Sequence, residues 1–419
     1  MNNGDYNYMN ITLTLLSTPI SIYLTIVCNS LAAEKNDILP RTYKMNKVLA
    51  SFLFSIWGAM MANALSITTF NILAPVHRSM PNQPNPHLNR RESERQEWWR
   101  PRAEGVAQYI SEKFASSDVI LLQEWWFDDS FTRIFNDTIG DRFDLVAERR
   151  PGSIVGQDRD DGMCCLVRKT GLLKLVKSEQ VLTGPQRIAQ IIQCRERLSN
   201  KDCGRDVFIA NSHLSFPGDK DPVVNNERQT NQASIILDAL TRARNGWDTT
   251  SSSESCLEVV CGDFNSNSCS PPAALVEDNG FVNCVSATAN QLLSNVGGAV
   301  NIGTTHCDHL GNRVSVDHIF LRLTKRKVKD DGQQTKQERC SALALGYLDT
   351  QGTRILGVQR DKIVIDGSAV LSDHRPVTAK IAWPKLESEG EKLPDMYTNV
   401  TMPLDPLESP WGIVESTQE

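Results

Sequence analysis

A strand-like run ends in a polar tetrapeptide whose residue types suit phosphate-ester chemistry. Residues 257–261 are largely apolar and contain two adjacent valines, and Gly-Asp-Phe-Asn follows at 262–265. If strand geometry persists, the side chains of Asp263 and Asn265 point the same way, because they are two residues apart. The carboxylate then orients or deprotonates a water, and the amide holds the phosphate. The simpler alternative is an Asx turn that closes the strand.

Five further motifs place polar residues at strand-like runs elsewhere in the chain. Phosphate-ester hydrolysis needs a water nucleophile, neutralised charge on the nonbridging oxygens and help for the leaving group. The residue types in these motifs meet those needs, and six such motifs in one chain indicate a single site. The further motifs span 66–71, 119–124, 207–214, 314–321 and 371–377 and carry Asn71, Glu124, His213, Asp317, Asp373 and His374.

The oxygen-rich donor set predicts a divalent cation. Mg²⁺ takes one or two protein carboxylates and keeps several waters, with Mn²⁺ or Ca²⁺ as alternatives. Glu124 is the strongest ligand candidate, because a carboxylate at the end of an apolar strand is otherwise costly beside the core. Asn71 supports the metal or a phosphate oxygen. The sequence contains no Cys/His spacing typical of structural zinc.

Taken together, the motifs make the chain similar to the endonuclease/exonuclease/phosphatase superfamily over about residues 65–383. That superfamily includes deoxyribonuclease I, neutral sphingomyelinases and the deadenylase/nocturnin branch. Alternating strand and helix signals, with helices predicted over 105–114 and 225–242, favour an α/β class. The resemblance implies the finer architecture, a four-layered α/β sandwich with two packed mixed β-sheets flanked by helices.

The resemblance also implies roles for particular residues. Asp317 and His374 correspond to a dyad in which the carboxylate fixes the imidazole tautomer and favours the protonated ring. Asp373 is placed nearer the metal, and His213 matches the histidine beside the scissile phosphate. His318 follows Asp317 in an alternating strand, so we expect its side chain to face away and to be structural.

The implied function is a metal-dependent phosphoesterase. It is most simply a phosphodiesterase that hydrolyses nucleic acid or a phospholipid head group by in-line attack of an activated water. The alternatives are an inositol-phosphate-type phosphomonoesterase and a non-catalytic binding protein on the same fold. The net charge is −6, from 44 Lys and Arg against 50 Asp and Glu. Without the acidic segment 384–419 the charges balance, which weakens duplex binding because nonspecific affinity for nucleic acid rests on a basic surface.

Aromatic and basic stretches bear on the substrate. A sphingomyelinase needs an exposed aromatic or aliphatic hairpin that enters the bilayer, and residues 98–99 or 125–127 are candidates. Core packing is the alternative for two of the three aromatic residues at 125–127. A nuclease needs arginines along its cleft, which the loop 90–102 supplies if it lines that cleft.

The N-terminal region has the pattern of a targeting signal. Residues 45–64 combine a short basic start, an apolar stretch and a small-x-small end, which is typical of a signal peptide, with a membrane anchor or a buried helix as the alternatives. We therefore expect a secreted or secretory-pathway protein, or one that associates with membranes through 45–64, and a monomer. Residues 1–44 are an extension of uncertain status, 65–383 form the phosphoesterase domain, and 384–419 are an acidic tail expected to be disordered.

Cysteine usage fits secretion. Ten of the 11 cysteines follow residue 64, an even number that suits disulfides, and reduced core cysteines are the alternative in a domain of this size. Cys194 and Cys203 flank a polar loop and are the first candidate disulfide. Cys261 lies within a predicted strand and is expected to be a core residue.

Overall fold

Two β-sheets form the centre of the described part of the chain. The computed structural model describes residues 64–80, 91–152, 160–197, 204–218, 220–247, 255–284, 305–307, 313–325, 344–348 and 371–382. All of these residues belong to one compact unit. The predicted extension 1–44, nearly all of the predicted signal segment 45–64, and the predicted tail 384–419 lie outside the described residues.

The first sheet is mixed. Its strands, numbered in chain order, are β1 (Ala64–Asn71), β2 (Val119–Trp126), β3 (Phe143–Arg149), β4 (Asp161–Arg168), β13 (Ala344–Leu348) and β14 (Val377–Ala382). Their order across the sheet is β13-β14-β1-β2-β4-β3. The pair β1 and β2 is parallel, and the other neighbours are antiparallel.

The second sheet repeats this plan. Its strands are β5 (Leu173–Gly184), β6 (Arg187–Glu196), β7 (Asp206–His213), β8 (Ser255–Asp263), β9 (Val282–Asn283) and β12 (Asp317–Lys325), in the order β5-β6-β7-β8-β12-β9. Here β7 and β8 form the parallel pair. A separate ribbon pairs β10 (His306–Cys307) with β11 (Arg313–Val314).

Helices cover the outer face of each sheet. The first sheet packs against α1 (Gln96–Lys113) and α2 (Asp129–Ile139), and a 3-10 turn at Glu92–Glu94 precedes α1. The second sheet packs against α3 (Pro222–Gly246) and α4 (Pro271–Asp278). The side chain of Asp221 caps α3 by accepting from the Val223 amide, and Pro222 is pre-organised for the first helical position.

Alternation along β2 shows how the layers form. Val119 and Leu121 pack in the cluster that joins the two sheets, whereas Ile120 and Leu122 pack against α1 and α2. Successive strand residues face opposite sides, so both faces of this strand are buried. Each such aliphatic side chain stabilises the fold by roughly 1.5–3 kcal/mol relative to exposure. The resulting order of helix, sheet, sheet and helix confirms the four-layered α/β sandwich.

Both predicted helices extend beyond their predicted bounds. The region that includes 105–114 is helical from Gln96, and Pro101 lies inside α1. The proline and the many charges of this stretch favoured a loop in the sequence. Burial of Trp99, Ala103 and Val106 against the first sheet overrides that local preference. The region 225–242 likewise belongs to a helix that begins at the cap Asp221.

Three of the five aromatic residues in the proposed bilayer hairpins are core residues, whereas Trp98 is half-buried, with the Arg95 guanidinium over its ring. Trp99, Trp125 and Trp126 are buried and pack around Phe131. Two of the three aromatic residues at 125–127 are therefore core residues, which confirms the core-packing alternative, and Phe127 is half-buried. The reason is that both faces of the first sheet are covered, so aromatic residues at the end of β2 pack beneath α2.

Among the arginines predicted to serve a nuclease cleft, Arg95 and Arg100 are exposed, whereas Arg102 is not. Arg102 is buried and forms an ion pair with Glu92, with Nη2 2.5 Å from Oε2. The same guanidinium donates to the backbone carbonyls of Ile72, Leu73 and Leu371. Arg102 therefore holds the loop after β1 against the loop before β14, and it is unavailable to a polyanion.

The structure does not place Cys194 in the disulfide that was predicted between Cys194 and Cys203. Cys194 is a free thiol in β6, and its side chain lies in the core cluster between the sheets. Burial raises the pKa of this thiol to about 12. Cys203 lies outside the described residues. Cys261 is a buried core residue, as its strand position predicted.

No helix in the described ranges is both long enough and apolar enough to cross a membrane.

Candidate active site

Parallel pairing brings the functional strand ends together. β1 and β2 end side by side, with Asn71 opposite Gln123. β7 and β8 also end side by side, with His213 opposite Asp263. β12 begins at Asp317, which pairs with Asp263. The Asn71 amide donates to Asp263 Oδ2 at 3.0 Å, so the ends of the two sheets meet at one site.

Gly262 makes the approach of β7 and β8 possible. Its φ is +131°, which an L side chain rarely adopts. A Cβ at this position would lie 1.9 Å from the Ser212 carbonyl oxygen. The glycine of the tetrapeptide is thus required where the two strands must bring His213 and Asp263 opposite each other.

Asp263 lies at the centre of the site and is buried. Its Oδ2 is 3.5 Å from Nε2 of His213 and 3.5 Å from Nε2 of His374. Burial raises the pKa of Asp263, the positive charge of His374 lowers it and the negative charge of Asp317 raises it again, to about 6. A carboxylate whose pKa lies this close to neutrality is suited to accept a proton from water.

The strand geometry expected for Asn265 does not persist. Its φ is +50°, and its backbone amide donates to Asp263 Oδ1 at 2.8 Å. This contact is the Asx turn that the sequence left open. The Asn265 side chain donates to the Leu214 carbonyl oxygen at 3.0 Å and is half-buried. The tetrapeptide therefore closes the strand and also fixes the carboxylate.

Glu124 occupies a bulge in the first sheet. The register between β2 and β4 shifts between Gln123 and Trp125. Glu124 has a φ of +61°, a conformation that costs a non-glycine residue about 1–3 kcal/mol and tends to persist at functional sites. Its Oε1 accepts from the Asn71 amide at 3.3 Å, and its Oε2 accepts from the Ala74 backbone amide at 2.9 Å. The bulge re-aims the carboxylate toward the end of β1.

His374 and Asp317 form a buried dyad. His374 Nδ1 lies 2.8 Å from Asp317 Oδ2. Burial would lower the pKa of His374, but the negative charges of Asp317 and Asp263 and the bond to Asp317 raise it well above the usual value. The ring is therefore an imidazolium near neutral pH, with Nε2 directed at Asp263. The Thr305 hydroxyl accepts from the Asp317 backbone amide, which anchors the start of β12.

His213 has the opposite surroundings. Its Nδ1 lies 2.9 Å from a guanidinium nitrogen of the buried Arg150. A guanidinium only donates, so Nδ1 accepts and the proton of the neutral ring is on Nε2. Burial and the positive charges of Arg187 and Arg150 lower the pKa of His213 well below its usual value. Nε2–H faces Asp263 and lies 4.0 Å from Glu124 Oε1.

Sequence reasoning missed the network behind His213. Arg150 Nε is 2.9 Å from Asp161 Oδ2, and His77 Nε2 is 3.2 Å from Asp161 Oδ1. Asp161 is the first residue of β4 and is buried. Neither Arg150 nor His77 belongs to a strand-end motif, and their positions come from loops that only the fold brings together.

The other sequence-predicted residues are also located. His318 is buried, its Nε2 lies 2.9 Å from the Ser266 carbonyl oxygen, and its ring packs edge-on against Phe264. Asp373 pairs with His306, which the sequence did not single out, with Nε2 3.5 Å from Oδ2. Burial would raise the pKa of Asp373, but the hydrogen bond from His306 and the charge of His374 lower it to about 2.

The donor atoms fit a divalent cation. Glu124 and Asp263 contribute carboxylate oxygens, which are the donors that Mg²⁺, Mn²⁺ and Ca²⁺ prefer. The Asn71 side chain turns its Nδ2 toward both carboxylates, whereas its Oδ1 accepts from the Leu73 backbone amide. Oδ1 of Asp373 is buried and accepts no hydrogen bond.

Ionisable side chains of the described residues also form two groups of three whose ligand atoms lie within 4.8 Å of one another. One group is Asp263, Asp317 and His374, and the other is His306, Asp373 and His374. The structure thus groups Asp373 with His306, whereas Glu124 lies in neither group.

The family model for the endonuclease/exonuclease/phosphatase family matches residues 68–374. The chain belongs to this family. Its members are generally hydrolases that act on phosphoesters, and they typically use divalent metals. The match begins within β1 and ends at His374, so it includes every residue assigned to the site, from Asn71 to His374. The fold and the family together indicate a phosphoesterase or nuclease-type function.

Similar proteins have low sequence identity to this chain. A relative from Arabidopsis thaliana, described as an uncharacterized calcium-binding protein, is 22% identical over 326 residues, which are 75% of this chain and 60% of the relative. A solved structure of an endonuclease/exonuclease/phosphatase from Bacteroides vulgatus is 16% identical, with a TM-score of 0.48, and covers 76% of this chain and 98% of its own. The solved structure of the human nocturnin catalytic domain with bound sulfate is 17% identical, with a TM-score of 0.47. The match covers 76% of this chain and 93% of the nocturnin chain.

Proposed function

We propose that this protein is a divalent-cation-dependent phosphodiesterase that hydrolyses nucleic acid. The observation that carries the proposal is the position of Asp263. It is buried between the neutral His213 and the protonated His374, at 3.5 Å from each, and it accepts a hydrogen bond from Asn71. A buried carboxylate with a pKa of about 6, flanked by two N–H donors, suits attack of water on a phosphate.

In the proposed reaction, Asp263 accepts a proton from water while the water oxygen attacks phosphorus. The bond from phosphorus to the leaving oxygen breaks on the opposite side as the new bond forms. The Nε2–H groups of His213 and His374 face the same carboxylate, so they are placed to donate to phosphate oxygens beside it. Glu124 would hold a cation that neutralises charge on the phosphate, and the Asn71 amide, which donates to Glu124 Oε1 and Asp263 Oδ2, fixes the carboxylates beside it.

One observation favours nucleic acid over a phospholipid head group. Three of the five aromatic residues in the candidate bilayer hairpins, Trp99, Trp125 and Trp126, are buried in the core. Phe216, three residues after His213, is 62% exposed. An exposed aromatic ring can stack on a base, and such stacking is tolerant of sequence, so Phe216 is compatible with this substrate.

The test is hydrolysis by the purified full chain. Single-stranded RNA, duplex DNA, sphingomyelin vesicles and inositol polyphosphates are each offered with Mg²⁺, Mn²⁺ or Ca²⁺, and then with EDTA. Ca²⁺ is included because the Arabidopsis relative is described as calcium-binding. We expect cation-dependent cleavage of nucleic acid. Turnover of the vesicles or of inositol phosphates alone would contradict the proposed substrate.

Asp263→Asn should lower kcat/KM by about 10²–10⁴-fold, because it removes the proton acceptor while keeping the shape of the side chain. Asp278→Asn is the matched control, since it removes the same charge from an exposed position at the end of α4. The control should keep wild-type activity. Equal activity of both variants would exclude Asp263 as the base.

A further inference from the structure

Two buried glutamines of α3 contact the loops that follow the strands of the site. Gln229 and Gln232 are three residues apart, so they lie on one face of the helix. Further along α3 the same face packs Ala233 and Ile236 against the second sheet. The two glutamines are only 1% and 2% exposed. A buried side-chain amide needs polar partners, because it has lost its contacts with water.

The amide of Gln229 joins two of these loops. Its Nε2 donates to the Ser215 carbonyl oxygen at 2.8 Å and to the Asn265 carbonyl oxygen at 3.3 Å. Ser215 lies two residues after His213, and Asn265 lies two residues after Asp263. A side-chain amide has two N–H donors, so one donor serves the first loop and the other serves the second.

These bonds continue the pairing of β7 and β8 beyond its end. His213 and Asp263 are the last residues paired in that ladder. Beyond them the Leu214 amide donates to the Asp263 carbonyl oxygen at 2.9 Å, and the Asn265 side chain donates to the Leu214 carbonyl oxygen at 3.0 Å. Gln229 makes the next link, so the connection between the two strand ends includes a residue of α3.

Gln232 fixes the first of the two loops to the helix. Its Oε1 accepts from the Ser215 backbone amide at 2.9 Å, and its Nε2 donates to the Ser215 hydroxyl oxygen at 3.0 Å. With the bond from Gln229, three hydrogen bonds tie Ser215 to α3. The loop after β7 is therefore held to a rigid element, and Gln229 extends that hold to the loop after β8.

We propose that Gln229 is a positioning residue for the hydrolysis, and that its amide sets the alignment of the Asp263 carboxylate with His213. The kinetic part of this inference rests on the proposed function. Gln229 acts through the backbone of Ser215 and Asn265, and those loops begin at the two side chains that lie 3.5 Å apart. A displacement of about 1 Å between reacting groups can lower a rate about 10²-fold.

The kinetic test uses two substitutions in the full chain. Gln229→Met removes the amide at nearly constant size, and Gln229→Glu keeps the shape but presents a carboxylate to the two carbonyl oxygens. On the nucleic acid cleaved in the panel, we expect kcat to fall about 10–100-fold in both variants. KM should stay within about threefold of the wild-type value, because alignment serves the transition state and not substrate binding.

Gln193→Met is the matched control. Gln193 is also 1% exposed, and its Nε2 donates to Asp206 Oδ1 at 3.1 Å, at the opposite end of β7 from the site. The Asp206 carboxylate keeps its ion pair with Arg195 in this variant. The control should unfold at a lower urea concentration than wild type and should keep the wild-type kcat.

Hydrogen exchange of the full chain, with neither substrate nor metal, tests the same connection. The Asn265 amide donates to Asp263 Oδ1, and the Leu214 amide donates to the Asp263 carbonyl oxygen. Both amides should exchange about tenfold faster or more in Gln229→Met, whereas exchange elsewhere in β7 should match that of Gln193→Met.

Two results would overturn the proposal. One is unchanged exchange at these two amides in Gln229→Met. The other is a kcat of the Gln229 variants that equals that of Gln193→Met. If no substrate of the panel is cleaved, the proposed function fails, and hydrogen exchange still decides whether Gln229 holds the two loops.

Discussion

The two sides of the site place their histidines at equal distances from one carboxylate oxygen but in opposite electrostatic surroundings. Nε2 of His213 and Nε2 of His374 each lie 3.5 Å from Asp263 Oδ2. The other ring nitrogen of His213 meets the Arg150 guanidinium, whereas that of His374 meets the Asp317 carboxylate. One ring is therefore neutral and the other charged, although both are buried.

The difference shows that the second partner of each ring sets its state. Burial acts on both rings in the same direction, since it lowers the pKa of any histidine. For His213 the neighbouring arginines add to burial, and for His374 the neighbouring aspartates outweigh it. The site thereby obtains one cationic donor and one neutral donor from the same residue type.

Asp317→Asn is expected to have the largest effect on the difference between the two histidines. The amide can still accept from Nδ1–H, but it removes the charge that holds His374 as an imidazolium. We expect kcat to fall by about 10²–10⁴-fold, as for loss of a catalytic acid or base. Steady-state kinetics on the substrate found in the panel measures it. A loss of less than about tenfold would show that the charge on His374 is dispensable.

Arg150→Met tests the other side. It removes the partner of His213 and leaves Asp161 buried without its guanidinium. Asp161 then keeps the contact with His77, whose Nε2 lies 3.2 Å from Oδ1. Breaking a buried ion pair costs about 3–5 kcal/mol, so the free energy of unfolding in urea should fall by up to that amount. Adding Asp161→Asn to the same chain should restore part of the stability, because the buried charge that lost its guanidinium is then gone.

The neighbouring arginine is a matched control for this effect. Arg149 pairs with Asp160 at 2.6 Å, but its side chain is 55% exposed. Arg149→Met should therefore change the free energy of unfolding by only about 0–1 kcal/mol. Equal losses for the two substitutions would show that burial of the Arg150–Asp161 pair is not the cause.

The smallest expected effect is the opposite dependence of stability on pH at the two histidines. The raised pKa of His374 stabilises the fold fully below the unfolded value of about 6.5, and this contribution is lost as pH rises through the folded pKa. The lowered pKa of His213 costs stability as pH falls below about 6.5, since only the unfolded chain then binds that proton.

Urea unfolding with EDTA across pH 5–9 separates the two contributions. The difference in the free energy of unfolding between wild type and Asp317→Asn should be largest near about pH 5–6.5 and should become smaller at alkaline pH. The decrease should be about 1.4 kcal/mol for each unit by which the substitution lowers the pKa of His374. His213→Asn should remove part of the loss of stability in acid. Parallel pH curves for the two variants would contradict the assignment of one charged and one neutral ring.

Much of the site was visible in the sequence because its residues end strands. Parallel neighbours bring their carboxyl ends to one edge, so Asn71 and Glu124 on one sheet, and His213 and Asp263 on the other, were predictable as a group. The helix α1 was only partly predictable, because its first turns are polar and contain Pro101. Packing of Trp99 on the sheet decided that segment.

The sequence by itself determined the strand pattern, the α/β class and the chemical types that meet at the site, because apolar runs and the polar residues at their ends are local features. Only the tertiary structure decided the charges of the two histidines and the partners Arg150 and His306. Those partners lie far away in the sequence from the histidines that they contact, and electrostatic effects depend on separation and burial in space. It also decided the strained φ of Glu124, since a bulge follows from the register of β2 on β4.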